Sequence, residues 1–189
     1  MEKAALLSLL EDFPIIPAVK NEGGMKKCVE SENPLVFVLH ANLSTAAPIT
    51  AYLKERGKIV FLHMDLIEGL AQKEVAVDFL ANTTQADGII STRPNLIRHA
   101  SSRGLLTVQR YFLLDSISLQ NILKAGSQES ADLIEVLPGV MPKVIRKLSS
   151  TLRVPLVAGG LISDKEDAIS ALSAGAAAIS TTNEDVWFL

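Results

Sequence analysis

The side chains able to do chemistry in this sequence collect at the ends of short apolar runs. His63 and Asp65 end the run Ile59–Asp65. Two residues apart on an extended strand, they share a face. Such a pair can act as base and acid or as two ligands of a divalent ion. Equally, the carboxylate can simply hold the imidazole. Arg93 ends Gly88-Ile-Ile-Ser-Thr-Arg93, where a guanidinium can grip a phosphate through two nitrogens or pair with Asp65 or Glu135. Gln109 and Arg110 must point to opposite faces of one strand, and Arg110 is the one assigned to the site. Glu135 stands among Leu133, Ile134, Val136 and Leu137. A buried unpaired charge is costly, so it needs a cation such as Lys20 or Arg110, or else serves as an acid or base.

A second kind of chemistry is written in backbone and hydroxyls. Val154-Pro-Leu-Val-Ala-Gly-Gly-Leu-Ile162 starts near a proline and passes through two glycines, and the next apolar run ends Ser180-Thr-Thr-Asn183. Two adjacent parallel strands ending in this way form a phosphate cradle of N–H groups and hydroxyls. Gly159, Gly160, Ser180, Thr181 and Asn183 are therefore candidate anion contacts, with Lys20 at the end of the first run. The sequence contains no Walker loop, no dinucleotide fingerprint and no Cys/His metal cluster. Neither a metal nor a cofactor is expected.

The elements that must position these residues alternate along the chain. Strand candidates are Ile15–Val19, Leu35–His40, Ile59–Asp65, Gly88–Arg93, Leu105–Phe112, Leu133–Pro138, Pro155–Leu161 and Ala177–Asn183. Between them the periodicity predicts helices over Met25–Glu32, Thr45–Arg56, Glu74–Asn82, Asn95–Arg103, Ile117–Gly126, Met141–Thr151 and Asp164–Ala174. Asn95 and Asp164 are placed as N-caps, and Gly57, Gly104 and Gly175 as C-terminal glycines. Near-continuous apolar strands alternating with helices predict one compact α/β domain over residues 1–189, a closed (β/α)8 TIM-type barrel. A doubly wound open sheet is the alternative. Residues 3–13 are expected to form an extra helix closing one end. Little chain follows the eighth strand, so the last helix must be truncated or missing. Apolar strand surface would then stay uncovered near Trp187 and Phe188, the place for a homo-oligomer contact. The Gly23-Gly24 stretch reads as a glycine-rich loop able to register a ligand.

The formal net charge of −3 excludes a general cationic field, so any nucleic-acid binding must rest on a local patch. Lys143, Arg146, Lys147 and Arg153 form one basic group, and Arg98, His99 and Arg103 another. Such charges are ordinarily solvated faces. Cys28 is alone, which rules out an internal disulfide, and it reads as a packing residue. Acids flank the short apolar start, no run reaches membrane-spanning length, and the expected location is the cytoplasm.

Several stretches match a known pattern jointly: Phe13-Pro-Ile-Ile-Pro-Ala-Val-Lys20, His63-Met-Asp-Leu-Ile-Glu-Gly69, Ile90-Ser-Thr-Arg-Pro-Asn95, Gln109-Arg110, Phe112-Leu-Leu-Asp-Ser116, Glu135-Val-Leu-Pro-Gly139 and Ala158-Gly-Gly-Leu-Ile162. In order and spacing they resemble the glycerol-3-phosphate-responsive antiterminator family, from about Phe13 to Trp187. The resemblance implies a (β/α)8 barrel that binds glycerol 3-phosphate as effector. It also implies action on the leader mRNA of glycerol-utilisation genes to prevent premature termination. An enzyme acting on a small phosphorylated substrate is the competing reading, with His63 and Asp65 or Glu135 as acid and base and Arg93 on the phosphate. A ligand sensor that signals to another protein is a third.

Overall fold

A computed structural model gives the fold and describes residues 3–126 and 131–189; the first two residues of the acidic start lie outside the described residues. In chain order the elements are α1 (Lys3–Asp12), β1 (Ile15–Val19), α2 (Glu22–Glu30), β2 (Leu35–Val38), β3 (Ala41–Asn42), α3 (Ala46–Lys54), β4 (Ile59–His63), β5 (Ile67–Glu68), α4 (Glu74–Thr83), β6 (Gly88–Ser91), α5 (Pro94–Ser102), β7 (Leu106–Phe112), α6 (Ser116–Gly126), β8 (Leu133–Leu137), α7 (Pro142–Ser149), β9 (Leu156–Gly159), α8 (Lys165–Ser173) and β10 (Ala178–Thr181). Strands β1, β2, β4, β6, β7, β8, β9 and β10 close into a barrel, and every neighbouring pair is parallel. Closure excludes the open sheet. No helix among the described residues is long and apolar enough to cross a membrane.

The barrel interior follows from strand alternation. Ile16, Phe37, Phe61, Ile90, Val108, Leu133, Val157 and Ala178 form one buried cluster with Leu6 and Leu10 of α1. Helix α1 therefore plugs the end of the barrel from which the strands start, as residues 3–13 predict. Phe37 and Phe61 meet in the middle with ring centroids 5.7 Å apart. The residues between these, Val36, Val60, Leu62, Ile89, Val136 and Ala158, face outward into the helix layer.

Of the boundaries that differ from expectation, three at strand ends bear on the site. Strand β4 stops at His63, because Met64–Leu66 turns into a short 3-10 helix. Strand β2 stops at Val38, and Ala41–Asn42 pairs instead with Ile67–Glu68 in a two-stranded annex. Strand β6 stops at Ser91, which makes Arg93, and not Asn95, the residue capping α5, with Pro94 in its first turn. Asp164 caps α8 as expected, accepting from the Asp167 N–H at 2.9 Å. Gly57, Gly104 and Gly175 carry positive φ beyond α3, α5 and α8.

The Gly23-Gly24 stretch is not a loop. It forms the first turn of α2, capped by Asn21, whose Oδ1 accepts from the Gly24 N–H at 2.8 Å. A side chain at Gly24 would meet Glu184 Oε1 at 3.3 Å and Trp187 Cη2 at 3.4 Å. Gly24 thus lets α2 lie close against the residues that follow β10. A 3-10 turn at Val186–Phe188 replaces the eighth outer helix, as the short remaining chain predicts. Trp187 is 2% exposed, and its Nε1 donates to the Thr181 carbonyl at 2.8 Å. Asn33 Nδ2 donates to the Trp187 carbonyl at 2.7 Å. The surface expected to lie bare near Trp187 is therefore covered by Trp187 itself, while Phe188 stays half exposed. Replacing this indole with Ala should lower unfolding free energy by about 3–5 kcal/mol, read as a shift of the urea midpoint; a midpoint unmoved within error would mean that the seam is held by other contacts.

Candidate functional site

Above the apolar layers the barrel interior changes character at the carboxyl ends of the strands. The same inward alternation that supplies Phe61, Val108, Leu133 and Ala178 next supplies His63, Arg110, Glu135 and Ser180. Arg110 and Glu135 are direct partners in the β7–β8 register. Arg110 Nε donates to Glu135 Oε2 at 2.5 Å, and Ser180 Oγ donates to Glu135 Oε1 at 2.5 Å. Glu135 is fully buried, so both oxygens are satisfied from within the barrel. Gln109 points outward and donates to the Ser91 carbonyl at 3.2 Å, which settles which of the two neighbours faces the axis.

Gly159 belongs to this arrangement. A Cβ there would lie 2.5 Å from Ser180 Oγ and 2.7 Å from Glu135 Oε1. Its missing side chain makes room for the carboxylate and its hydroxyl partner. Gly160 is different: its φ of 73° is left-handed, and it lines the mouth together with Leu161, whose φ is 62°.

A cavity of about 740 Å³ opens over these groups. Arg110, Glu135 and Ser180 lie on it with Leu39 and Leu137. Gly160, Leu161, Ile162 and Ser163 flank it on one side; Thr181, Thr182, Asn183, Glu184 and Asp185 flank it on another; Lys20 and Lys27 also line it. The size suits a small metabolite. Thr181 Oγ1 donates to the Ile162 carbonyl at 2.7 Å and accepts from the Asn183 N–H at 3.0 Å. Asn183 Nδ2 donates to the Ser163 carbonyl. The β9 and β10 turns are thereby tied into one wall. Lys27 Nζ sits 3.2 Å from Glu184 Oε2 and 3.7 Å from Asp185 Oδ1. Sequence reasoning missed Lys27, Ser163, Thr182, Glu184 and Asp185.

Eight of the candidates therefore converge on one cavity: Lys20, Arg110, Glu135, Gly160, Ser180, Thr181 and Asn183 line it, and Gly159 shapes it from beneath. Three stand apart. Asp65 does not share a strand face with His63, because the 3-10 turn carries it out of the strand. Its oxygens accept from Ser91 Oγ at 2.7 Å, the Thr92 N–H at 2.7 Å and Thr92 Oγ1 at 2.8 Å. It fastens the β4 end to the β6 end. Arg93 is exposed at the start of α5, with Nε 3.2 Å from Gln72 Oε1. It pairs with neither Asp65 nor Glu135.

His63 is 4% exposed, and its Nδ1 has no hydrogen-bond partner among the described residues. Burial, and then the Arg110 charge, push its pKa down to about 4, more than the nearby Asp65 carboxylate offsets. It is neutral at pH 7, beside the polar layer but outside the residues lining the cavity. Among the described residues no cluster of His, Cys, Asp and Glu could hold a metal ion.

The fold and site define a class: a parallel (β/α)8 barrel with a polar, ligand-sized cavity at the carboxyl ends of its strands. The sequence profile of the glycerol-3-phosphate responsive antiterminators matches residues 15–187, and the chain belongs to that family. It is 45% identical over 184 residues to the uncharacterized protein YgcP of Escherichia coli K12, covering 97% of this chain and 96% of that one. It is 35% identical to the glycerol uptake operon antiterminator regulatory protein of Listeria monocytogenes, with a TM-score of 0.87 over 92% of this chain and 94% of that one. A glycerol uptake operon antiterminator-related protein of Thermotoga maritima gives 32% identity and a TM-score of 0.81 over 92% and 96%. A deoxyribose phosphate aldolase of Aeropyrum pernix shares the barrel alone, at 17% identity and a TM-score of 0.68 over 98% of this chain and 96% of that one.

Because the folded His63 pKa lies below the ordinary 6.5, the unfolded chain binds a proton that the folded one refuses. This group's contribution is complete above pH 6.5 and drains as pH falls toward 4, by up to about 3 kcal/mol. Denaturant melts of wild type and His63→Gln at pH 7 and near pH 4 should show the wild type losing more, by roughly that amount. Parallel losses would place the neutral imidazole elsewhere in the acid response.

Proposed function

We propose that glycerol 3-phosphate binds in this cavity and gates the protein's affinity for the leader mRNA of glycerol-utilisation genes, so that transcription in the cytoplasm passes an early terminator. The observation that carries the ligand half is the Arg110–Glu135–Ser180 floor. Arg110 is oriented through Nε by Glu135, and among the described residues its two terminal nitrogens have no hydrogen-bond partner. A fork held in this way suits a phosphate. Lys20, Lys27 and the turns at Gly160–Ser163 and Thr181–Asn183 supply further donors around the same space. The glycerol hydroxyls find Thr182, Glu184 and Asp185 on the cavity wall; Asp65 and Glu135 already hold other donors. Family membership supports the RNA half.

Turnover would need a base or nucleophile free to act at the cavity. Glu135 is held on both oxygens, the wall carboxylates Glu184 and Asp185 both face Lys27, and His63 lies outside the lining. These features favour sensing over catalysis. The ligand gates RNA binding only if it prefers one of two protein states.

Calorimetry with glycerol 3-phosphate, glycerol and inorganic phosphate tests the site, and leader-RNA binding with and without glycerol 3-phosphate across a salt series tests the gate. The reading predicts tightest binding for the intact phosphate ester and RNA affinity that rises with it. Arg110→Lys, which keeps the charge and loses the fork, should weaken glycerol 3-phosphate by about tenfold, or about 1.4 kcal/mol. No heat with the ester, or RNA affinity blind to it, would overturn the reading.

A further inference from the structure

We propose that the β8–α7 unit carries the RNA-contacting surface, with the outer face of α7 taking phosphates and the neighbouring apolar rim taking unpaired bases. This rests on the reading of the protein as an RNA-binding regulator and says where on the molecule that contact is made.

Two helices concentrate basic residues, and the structure separates them. On the α5 side, His99 lies 2.9 Å and Arg103, just past the helix, 3.1 Å from the same Asp78 carboxylate of α4, so two of that patch's three members face a carboxylate and Arg98 alone has no ion-pair partner among the described residues. On α7, Lys143, Arg146 and Lys147 are all exposed, and none has an ion-pair partner among the described residues. Their spacing of three and four residues puts them on one helix face, about 5–6 Å apart. The opposite face, Ile145 and Leu148, is buried against the barrel, which fixes the direction of the charged one. In a chain of net charge −3 this face is open to a polyanion, and charge complementarity commits it to RNA.

The surface beside it suits single strands. The β8–α7 turn is hydrogen-bonded on both flanks: the Leu113 N–H donates to the Leu137 carbonyl at 2.7 Å, and the Gly139 N–H to the Gly160 carbonyl at 3.0 Å. Those flanks expose Phe112, Leu114 and Leu161 at 52%, 84% and 73%. Apolar and aromatic side chains next to cations are what unstacked bases use, whereas a duplex keeps its bases inside.

The same unit touches the ligand cavity. Leu137 and Glu135 of β8 line it, and a Cβ at Gly139 would lie 2.9 Å from the Gly159 nitrogen. A change in how the cavity holds Gly160 or Leu137 therefore moves the turn from which α7 starts. The basic helix on the other side, α5, starts instead from Arg93, which does not line the cavity.

The test uses the full chain, a labelled mixed-sequence single-stranded RNA and its duplex, and anisotropy titrations across a salt series with glycerol 3-phosphate present. K143E/R146E/K147E is compared with K73E/R98E/R103E, which makes the same charge change on the α4–α5 side. The α7 variant should lose about tenfold or more in single-strand affinity, and its log-log salt slope should shrink by about 2. The α4–α5 variant should bind as the wild type does, and the duplex more weakly than the single strand. Calorimetry with glycerol 3-phosphate should find the ligand site of the α7 variant intact, showing that it is folded. Equal losses in both variants would mean a general field and overturn the assignment. So would RNA affinity untouched by the α7 changes, which would leave that face to an acidic protein partner. A wild type that binds glycerol 3-phosphate but no RNA would overturn the regulatory reading together with this one.

Discussion

One ion pair sets the terms for the rest of this barrel. Glu135 is wholly inside, and a carboxylate there survives only if its charge and lone pairs are met. Arg110 meets the charge from the directly opposed position on the adjacent strand, and Ser180 takes the other oxygen from two strands away on the other side. Neither contact forms unless β7, β8 and β10 keep their register, and neither fits unless Gly159 has no side chain. The pair is weak evidence for stability in itself. Its consequence is geometric: it converts a flexible arginine into a fixed donor below the cavity and leaves the Glu135 carboxylate occupied on both oxygens.

A second dependence runs around the closing seam. Strands β1 and β10 must pair for the barrel to close, and among the described residues a single 3-10 turn follows β10 to cover them. The chain solves this with one indole and a helix that can approach it. Trp187 is tied to Thr181 and Asn33, and Gly24 of α2 leaves space for it. The same approach brings Lys27 to Glu184 and Asp185, so the seam and the cavity wall are built from the same residues.

The architecture was legible because the strands are near-continuous apolar runs, which only a parallel sheet covered by helices explains. The carboxyl-end set was legible for the complementary reason, since polar residues ending such runs stand out. Errors came where local chemistry overrides the strand pattern. Met64–Leu66 leaves the strand to let Asp65 reach Ser91 and Thr92, and nothing in the spacing of His63 and Asp65 announces that turn. Arg93 was drawn into the site by its place after an apolar run, although Pro94 begins a helix there and turns it to the surface. Gly23 and Gly24 looked like loop because glycine is poor in helices; the reason at Gly24 is its contact with Glu184 and Trp187, residues far along the chain. Lys27 was missed with them, because a helix started at Met25 hides the face on which it lies.

The charges around the cavity have a consequence for how it meets its occupant. Lys20, Lys27 and Arg110 line it, and so do Glu135, Glu184 and Asp185: three cations against three carboxylates. Seen from a distance such a mouth is a set of dipoles rather than a positive centre, and its field fades faster than that of a net charge. It offers an approaching dianion little long-range pull and selects by fit at contact. The α7 face, with its cations unanswered, behaves in the opposite way. The molecule therefore presents one polar surface whose field is largely indifferent to ionic strength and one whose field is governed by it, and a rise in salt weakens the second while leaving the first in place.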